Sequence, residues 1–333
     1  MYNIAFHKQD LSNLRFLVTG GAGFIGSNLV DYLLTYGAGK VVVLDNLATG
    51  FTKNFEAHLS NPAFTFIEGD IRNLDDCLKA TQDIDIVLHQ AALGSVPRSI
   101  NDPILTNSVN ITGFLNMLVA ARDNNVKRFV YAASSSTYGD SKKLPKVEHE
   151  IGKPLSPYAV TKYVNELYAD VFAKTYGMSI IGLRYFNVYG PKQNPHGAYA
   201  AVIPLFIDKL MSGVAPVING DGEQTRDFTY IENAVQANVL AALTDNKEAE
   251  NQVFNVAVHD RNSLNVMYNM LQEITKINLP AVYGPNRAGD IRDSFADIQK
   301  AQTFLNYNPL VKMYDGLERT FNWFVNNQEF INK

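Results

Sequence analysis

The chain has 333 residues, 46% of them hydrophobic and 19% charged, enough apolar material to bury a sizeable core and too much for a disordered sequence. Lys and Arg total 29 against 33 Asp and Glu, and the net charge of −4 argues against a nucleic-acid binder. Cys77 is the single cysteine, which excludes an intramolecular disulfide and fits a reducing compartment. No apolar run approaches the roughly 18 residues needed to cross a bilayer. The opening residues lack the basic-then-apolar pattern of a signal peptide, so a cytoplasmic protein with no membrane partner is expected, and the Asn110-Ile111-Thr112 sequon is read as accidental.

Taken in chain order, residues 1–14 form a polar, unpatterned N-terminal extension. Short β-rich runs then predict strands at Arg15–Thr19, Lys40–Asp45, Phe64–Glu68, Asp85–His89, Lys127–Ala133 and Ser179–Tyr185. Helical periodicity predicts helices at Phe24–Tyr36, Pro103–Asn124 and Pro157–Tyr176. Strands of this length alternating with longer helices read as βαβ units on a parallel sheet. After about Asn187 the rhythm changes, with more Pro, Gly and Asn and with helical patterns near Ala198–Met211, Thr229–Leu243, Ser263–Thr275 and Met313–Asn327.

The first predicted strand runs into Thr19-Gly20-Gly21-Ala22-Gly23-Phe24-Ile25-Gly26, which opens a helix. Glycines there permit a tight turn, let backbone approach a pyrophosphate, and allow close helix–strand packing. The helix N-terminus offers free N–H groups to the phosphates. Asp45, 25 residues after Gly20, ends the next strand, where a carboxylate can accept both ribose hydroxyls of NAD and repel the 2′-phosphate of NADP. The expected architecture is therefore α/β: a Rossmann-type doubly wound parallel sheet over 15–187 that binds NAD, and a smaller mixed α/β C-terminal substrate-binding lobe over 188–333, with segments free to cross. Gly69-Asp70-Ile71 and His89-Gln90-Ala91-Ala92 end the third and fourth strands at the crevice; Asp70 could accept from an adenine amino group, and Ala91 and Ala92 let backbone run close to the cofactor. His89 reads as structural, and none of the six histidines has metal-site spacing, so no metal is expected.

Tyr158 and Lys162 are four residues apart, early in a helix that Pro157 would start well, so phenol and ammonium share one face. A tyrosine titrates near pH 10; lowering that by roughly three units takes about 4 kcal/mol, which a nearby Lys⁺ in a partly dry cleft could supply, helped by an oxidised nicotinamide. The pair follows a fifth strand ending in Ser134-Ser135-Ser136-Thr137-Tyr138-Gly139, whose hydroxyls could serve a substrate alcohol, though by itself this run reads equally as a polar turn.

Together, TGGAGFIG, Asp45-Asn46, SSSTYG, YAVTK and Leu183-Arg184-Tyr185-Phe186-Asn187 resemble the extended short-chain dehydrogenase/reductase superfamily, over essentially the whole chain past residue 14. HQAALGSVPRS, AASSSTYGD, PLSPYAVTKYVNE and INGDGEQTRDF look most like bacterial UDP-N-acetylglucosamine 4-epimerases of polysaccharide synthesis. The resemblance implies that Tyr158 is the catalytic base, that Lys162 holds the nicotinamide ribose and depresses the tyrosine pKa, and that Ser134 relays a proton. It places Gly20, Gly23, Phe24, Ile25, Gly26, Asp45, Asn46, Asp70, Ile71, Ala91, Ala92, Asn110 and Phe186 along NAD. It places Ser95, Ser136, Asn187, Ala201, Asn219, Arg226, Arg287, Asp290 and Ser294 against the UDP-sugar, the two arginines on the diphosphate, where a guanidinium fork suits the oxygens. Each arginine alone could also be a surface charge, and Thr137 stands where the superfamily often has Val.

A 4-epimerase uses NAD without net consumption and needs loose contacts on the sugar with firm anchoring of the nucleotide. The runner-up activities are a nucleotide-sugar 4,6-dehydratase and a UDP-glucuronate decarboxylase. Related enzymes of those kinds carry carboxylates where this chain has Ser135 and Ser136. A non-catalytic NAD-sensing protein would not be expected to keep both Tyr158 and Lys162. Small residues at Ser294 and Ala201 imply room for an N-acetyl group, hence UDP-GlcNAc/UDP-GalNAc. Relatives commonly dimerise through the helices 103–124 and 157–176, so a homodimer is expected, with Phe114, Leu115, Leu118 and Val119 offering apolar surface.

Overall fold

The computed structural model describes residues 2–196, 200–285 and 292–330. Seven strands form one sheet: β1 (Arg15–Thr19), β2 (Lys40–Asp45), β3 (Phe64–Glu68), β4 (Ile86–His89), β5 (Arg128–Ser134), β6 (Ile180–Tyr185) and β7 (Val253–Val256). Their order is β7-β6-β5-β4-β1-β2-β3, and every neighbouring pair is parallel. β1 lies between β4 and β2, with Val18 opposite Val43 on one side and Leu88 on the other. The strand order reverses between β1 and β4, so the crevice at their carboxyl ends is where this fold binds ligands.

Side chains alternate across the sheet as the period of two requires. Phe16, Val18, Val41 and Val43 enter one buried layer, and Leu17, Val42 and Leu44 enter the other. Helix α1 (Phe24–Thr35) packs into the first layer. Helices α2 (Leu74–Thr81), α3 (Val96–Asn101), α4 (Pro103–Asp123) and α5 (Pro157–Tyr176) follow, with α2, α4 and α5 contributing to the second. α5 has a complete set of end signals: the Ser156 hydroxyl accepts from Ala159 N–H at 3.1 Å, Pro157 begins the first turn, and Gly177 ends the helix at φ +66°.

α4 is long and apolar enough, on length and composition alone, to cross a membrane, which the sequence reading overlooked because Asn107, Asn110 and Asn116 interrupt the run. Its Phe114, Met117 and Leu118 are buried against the sheet. Phe114 and Leu118 are therefore not the surface offered to a second copy; exposed apolar side chains include Ile100 on α3, Ile104 and Leu105 on α4, and Val160, Leu167 and Val171 on α5.

The later half of the chain adds α6 (Val202–Met211), α7 (Ile231–Leu243), α8 (Leu264–Thr275), α9 (Gln299–Leu305) and α10 (Met313–Asn326), with three short two-stranded ladders. Two of its segments belong to the central sheet: α7 packs on β4, β5 and β6, and β7 extends the edge beside β6. The N-terminal extension is also built in. Tyr2 hydroxyl donates to Asn28 at 3.1 Å, the Phe6 ring stacks on Tyr32 at 5.1 Å, and Leu11 is buried.

Candidate functional site

A cavity of about 740 Å³ opens at the carboxyl ends of the strands, astride the β1/β4 reversal. Its floor is the turn between β1 and α1. Gly20 has φ +70°, and a Cβ there would stand 2.7 Å from the Ala91 nitrogen; a Cβ on Gly26 would collide with the Gly20 carbonyl. Gly23 sits at the start of α1 with no side-chain cap, so the N–H groups of the first turn face the cavity with Phe24, Ile25 and Gly26. A Cβ on Gly94, across the cavity, would meet nothing within 4 Å. The result is a long cradle with a backbone anion site at one end.

At the outer wall Asp45 accepts from Ala22 N–H at 3.0 Å and Leu47 N–H at 2.8 Å. Burial raises its pKa and those two bonds hold the rise back. Asn46 donates to Asp70 at 2.9 Å. Asp70, offered by the sequence as an acceptor for a ligand, already binds the Arg72 guanidinium at 2.6 Å, which pulls its carboxyl down to about 2. Ile71, Ala91 and Ala92 line the cavity beside it.

The inner wall carries the reactive side chains. Tyr158 and Lys162 project from the first two turns of α5, and Ser134 ends β5. The Lys162 ammonium donates to the Ala132 carbonyl at 2.7 Å, and Ser134 hydrogen-bonds the Tyr158 hydroxyl. Burial pushes Lys162 down to about 8, with the Glu166 charge opposing. Burial also raises Tyr158, against the lowering effect of Ser134, so in the protein alone the phenol is neutral at pH 7. The expected depression counted on an oxidised nicotinamide as well as on Lys162; among the protein's own groups desolvation dominates. His89 is packed between Phe114 and Phe129 with Thr19 Oγ1 2.8 Å from Nδ1. Burial and then the Lys162 charge push it down to about 3, so it stays neutral.

A second cavity of about 560 Å³ joins the first, and Ser95, Val96, Asn187 and Val188 line both. Two of the shared residues hold backbone that L-residues rarely adopt: Ser95 at φ +96° and Asn187 at φ +38°. Ala201, Asn219 and Arg226 line this outer cavity; Arg226 donates to the Thr225 and Arg292 carbonyls at 2.8 and 3.0 Å.

Four sequence-selected residues stand behind these walls. Asn110, in a π-helical turn of α4, grips Leu93 in both directions at 2.8 and 3.1 Å, and so shapes the loop after β4 instead of facing the cavity. Phe186 is fully buried against Tyr138, 5.9 Å between ring centres. Ser136 donates to Ser134 at 2.9 Å from outside the cavity, and Ser294 pairs through its backbone N–H with Thr225 at 3.0 Å. Arg287 and Asp290 lie outside the described residues. Reasoning from the sequence passed over Gln90 and Tyr185, which line the inner cavity and hydrogen-bond each other and Asn238. Both stand in motifs it quoted, directly after β4 and at the end of β6, and their position at strand ends was the available signal. Among the described residues no cluster of His, Cys, Asp and Glu could hold a metal ion.

The model of the NAD dependent epimerase/dehydratase family matches residues 16–257. A putative UDP-glucose 4-epimerase of Methanocaldococcus jannaschii is 37% identical over 313 residues, 93% of this chain and 98% of that one. The solved UDP-N-acetylglucosamine 4-epimerase of Methanobrevibacter ruminantium, in complex with UDP-N-acetylmuramic acid, is 38% identical with a TM-score of 0.88, covering 94% of this chain and 99% of its own. The Thermotoga maritima UDP-glucose 4-epimerase with UDP-glucose is 36% identical, TM-score 0.88, covering 95% and 100%.

The depressed Lys162 sets a pH test. An unfolded lysine keeps its proton up to about 10.5 while the folded one loses it near 8, so between these values the unfolded state binds more protons and folding stability rises with pH. Lys162→Met lacks this term. The stability of the wild type relative to the variant is expected to increase by about 3 kcal/mol between pH 7.5 and 10.5, measured by urea unfolding; a constant difference would contradict the burial of a charged lysine.

Proposed function

This chain belongs to the NAD dependent epimerase/dehydratase family, and we propose that it inverts C4 of a UDP-hexose, with UDP-GlcNAc and UDP-GalNAc as its principal pair. Its cofactor is NAD. The inner cavity fits this dinucleotide: the turn at Gly20 and Gly26 leaves no room for side chains, the uncapped start of α1 suits a pyrophosphate, and Asp45 stands where a ribose diol would be accepted. When bound, NAD supplies the hydride acceptor and donor that inversion at a carbinol carbon requires. Phe24, Ile25, Asn46, Asp70, Ile71, Ala91 and Ala92 would complete its walls.

The observation that carries the reading is the junction of the two cavities, with Tyr158 and Ser134 on the inner side and Arg226 and Asn219 on the outer. A sugar held at that junction presents its 4-hydroxyl to Tyr158. The Tyr158 oxygen takes the hydroxyl proton and later returns it, and Ser134 bridges the two. Lys162, charged, favours the phenolate and binds ribose hydroxyls. Arg226, with Arg287, would hold the diphosphate, and Asn187, Asn219, Ser95 and Asp290 the rest of the nucleotide sugar. Ser135 lines the inner cavity with no carboxylate beside it at Ser136, so no side chain there can take the proton next to a 4-ketone, as a dehydratase requires.

Preference for the acetylated pair is supported by the small Ala201 on the outer cavity, with the small Ser294 behind its wall, bonded to Thr225 beside Arg226. We propose a second copy of this chain as a partner, seated on α5 through Val160, Leu167 and Val171, which are 46%, 50% and 52% exposed. Leu167→Asp is expected to convert a dimer into monomers by sedimentation; a wild-type monomer would exclude the pairing.

Purified protein incubated with UDP-GlcNAc and no reductant is expected to yield UDP-GalNAc by NMR, and Tyr158→Phe to lower kcat by a factor of about 10² or more. A 4-keto-6-deoxy sugar or a pentose as product would overturn the epimerase reading. Ser294→Tyr is expected to abolish turnover of the acetylated pair and spare UDP-glucose. Normal turnover of the acetylated pair by that variant would remove the size argument.

A further inference from the structure

Behind the reactive helix face lies an ion pair that no step above uses. Glu166, one turn after Lys162 and two after Tyr158, receives both arms of the Arg184 guanidinium, Nε to Oε1 at 2.8 Å and Nη2 to Oε2 at 2.7 Å. Arg184 is 3% and Glu166 9% exposed. The third guanidinium nitrogen reaches the Glu148 carbonyl at 3.0 Å, and the guanidinium carbon lies 4.8 Å from the centre of the Tyr138 ring. Tyr138 closes the turn that begins at Ser134, and its hydroxyl donates to Asn255 on β7 at 2.6 Å. One planar group on β6 thus touches both the helix that carries Tyr158 and Lys162 and the turn that carries Ser134.

We propose that Arg184 and Glu166 are positioning residues for this site: their buried bidentate pair locks α5 to the Ser134 turn, and its two opposed charges keep the Lys162 ammonium in a balanced field. A buried ion pair adds little net stability, because the desolvation of both partners offsets their attraction, and packed apolar side chains would serve the core as well. What the pair adds is geometric, since the fork fixes one orientation of carboxylate against guanidinium. The electrostatic part follows from the pairing: the Glu166 charge acts on Lys162 from one turn away, and Arg184, forked onto that same carboxylate, offsets it, with Glu148 and Lys300 as further charged groups beside the pair.

Removing one partner should therefore move Lys162 one way and removing the other should move it the opposite way, which a purely structural role does not do. The activity arm below rests on the epimerase reading; the titration arm does not. In the full chain labelled with ¹³Cε-lysine, the Lys162 resonance is expected to titrate lower in Glu166→Gln and higher in Arg184→Met, each by about one pH unit relative to wild type. The double variant should return to the wild-type midpoint, and Glu166→Asp, which keeps the charge but shortens its reach, should hold the midpoint while kcat falls. The alkaline limb of kcat for UDP-sugar epimerisation is expected to follow the same directions with KM unchanged. Midpoints that move together, or not at all, in the variants that fold overturn the proposal. Opposed midpoints without any epimerisation by the wild type overturn the assigned reaction and leave the positioning role standing.

Discussion

Removing a phenol and an ammonium from water works against the charged form of each, and the site is built on two such groups on adjacent turns of α5. Lys162 is held out of solvent with one hydrogen bond to a strand carbonyl and a pKa pushed down to about 8. Tyr158 stands at the cavity wall with its pKa raised by the same desolvation. The protein alone thus keeps this phenol protonated. A charge that arrives with a ligand changes this balance more in a dry cleft than it would in water. The oxidised nicotinamide of NAD brings positive charge, so in the proposed mechanism Tyr158 would become a base only once NAD is bound.

The rest of the molecule serves that arrangement. The glycine turn and the uncapped start of α1 would, in the proposed mechanism, anchor the pyrophosphate through backbone and leave the side chains of the inner wall free for chemistry. The seven-stranded parallel sheet supplies rigid strand ends: β5 delivers Ser134, β6 delivers Tyr185, and the loop after β4 delivers Ala91 and Ala92. Asn110 holds that loop from behind, its side chain spent on Leu93 and Thr161. The outer cavity is lined by Arg226 and Asn219, so in the proposed mechanism a ligand spanning both cavities would be fixed at its ends and loose in the middle.

Much of this is legible in the residues. The strands at Arg15–Thr19, Lys40–Asp45 and Phe64–Glu68 and the helix Pro157–Tyr176 have the predicted bounds, because β-branched runs and strong end signals such as Ser156, Pro157 and Gly177 are local. What escaped depends on distant partners. β7 looks like loop because Asn255 sits in a four-residue run, yet its side chain is satisfied by Tyr138, Lys146 and Asp297. The first residues read as a polar, unpatterned extension, and contacts such as Tyr2 with Asn28 and the stack of Phe6 on Tyr32 show that they cover α1. At the site, the motifs marked which segments converge. Whether Ser136, Asn110 or Phe186 faces the cavity or braces its wall is decided by packing between segments far apart in the chain.

The most direct measurement is the ionisation of Tyr158 itself, read by difference absorbance of the wild type against Tyr158→Phe, with NAD removed and with NAD bound. The Tyr158 signal is expected to titrate above pH 10 in the NAD-free protein and to fall by two or more pH units, on the order of 3 kcal/mol, once NAD is bound. A phenol that already ionises near pH 7 without NAD, or one whose titration NAD leaves unmoved, would contradict the account.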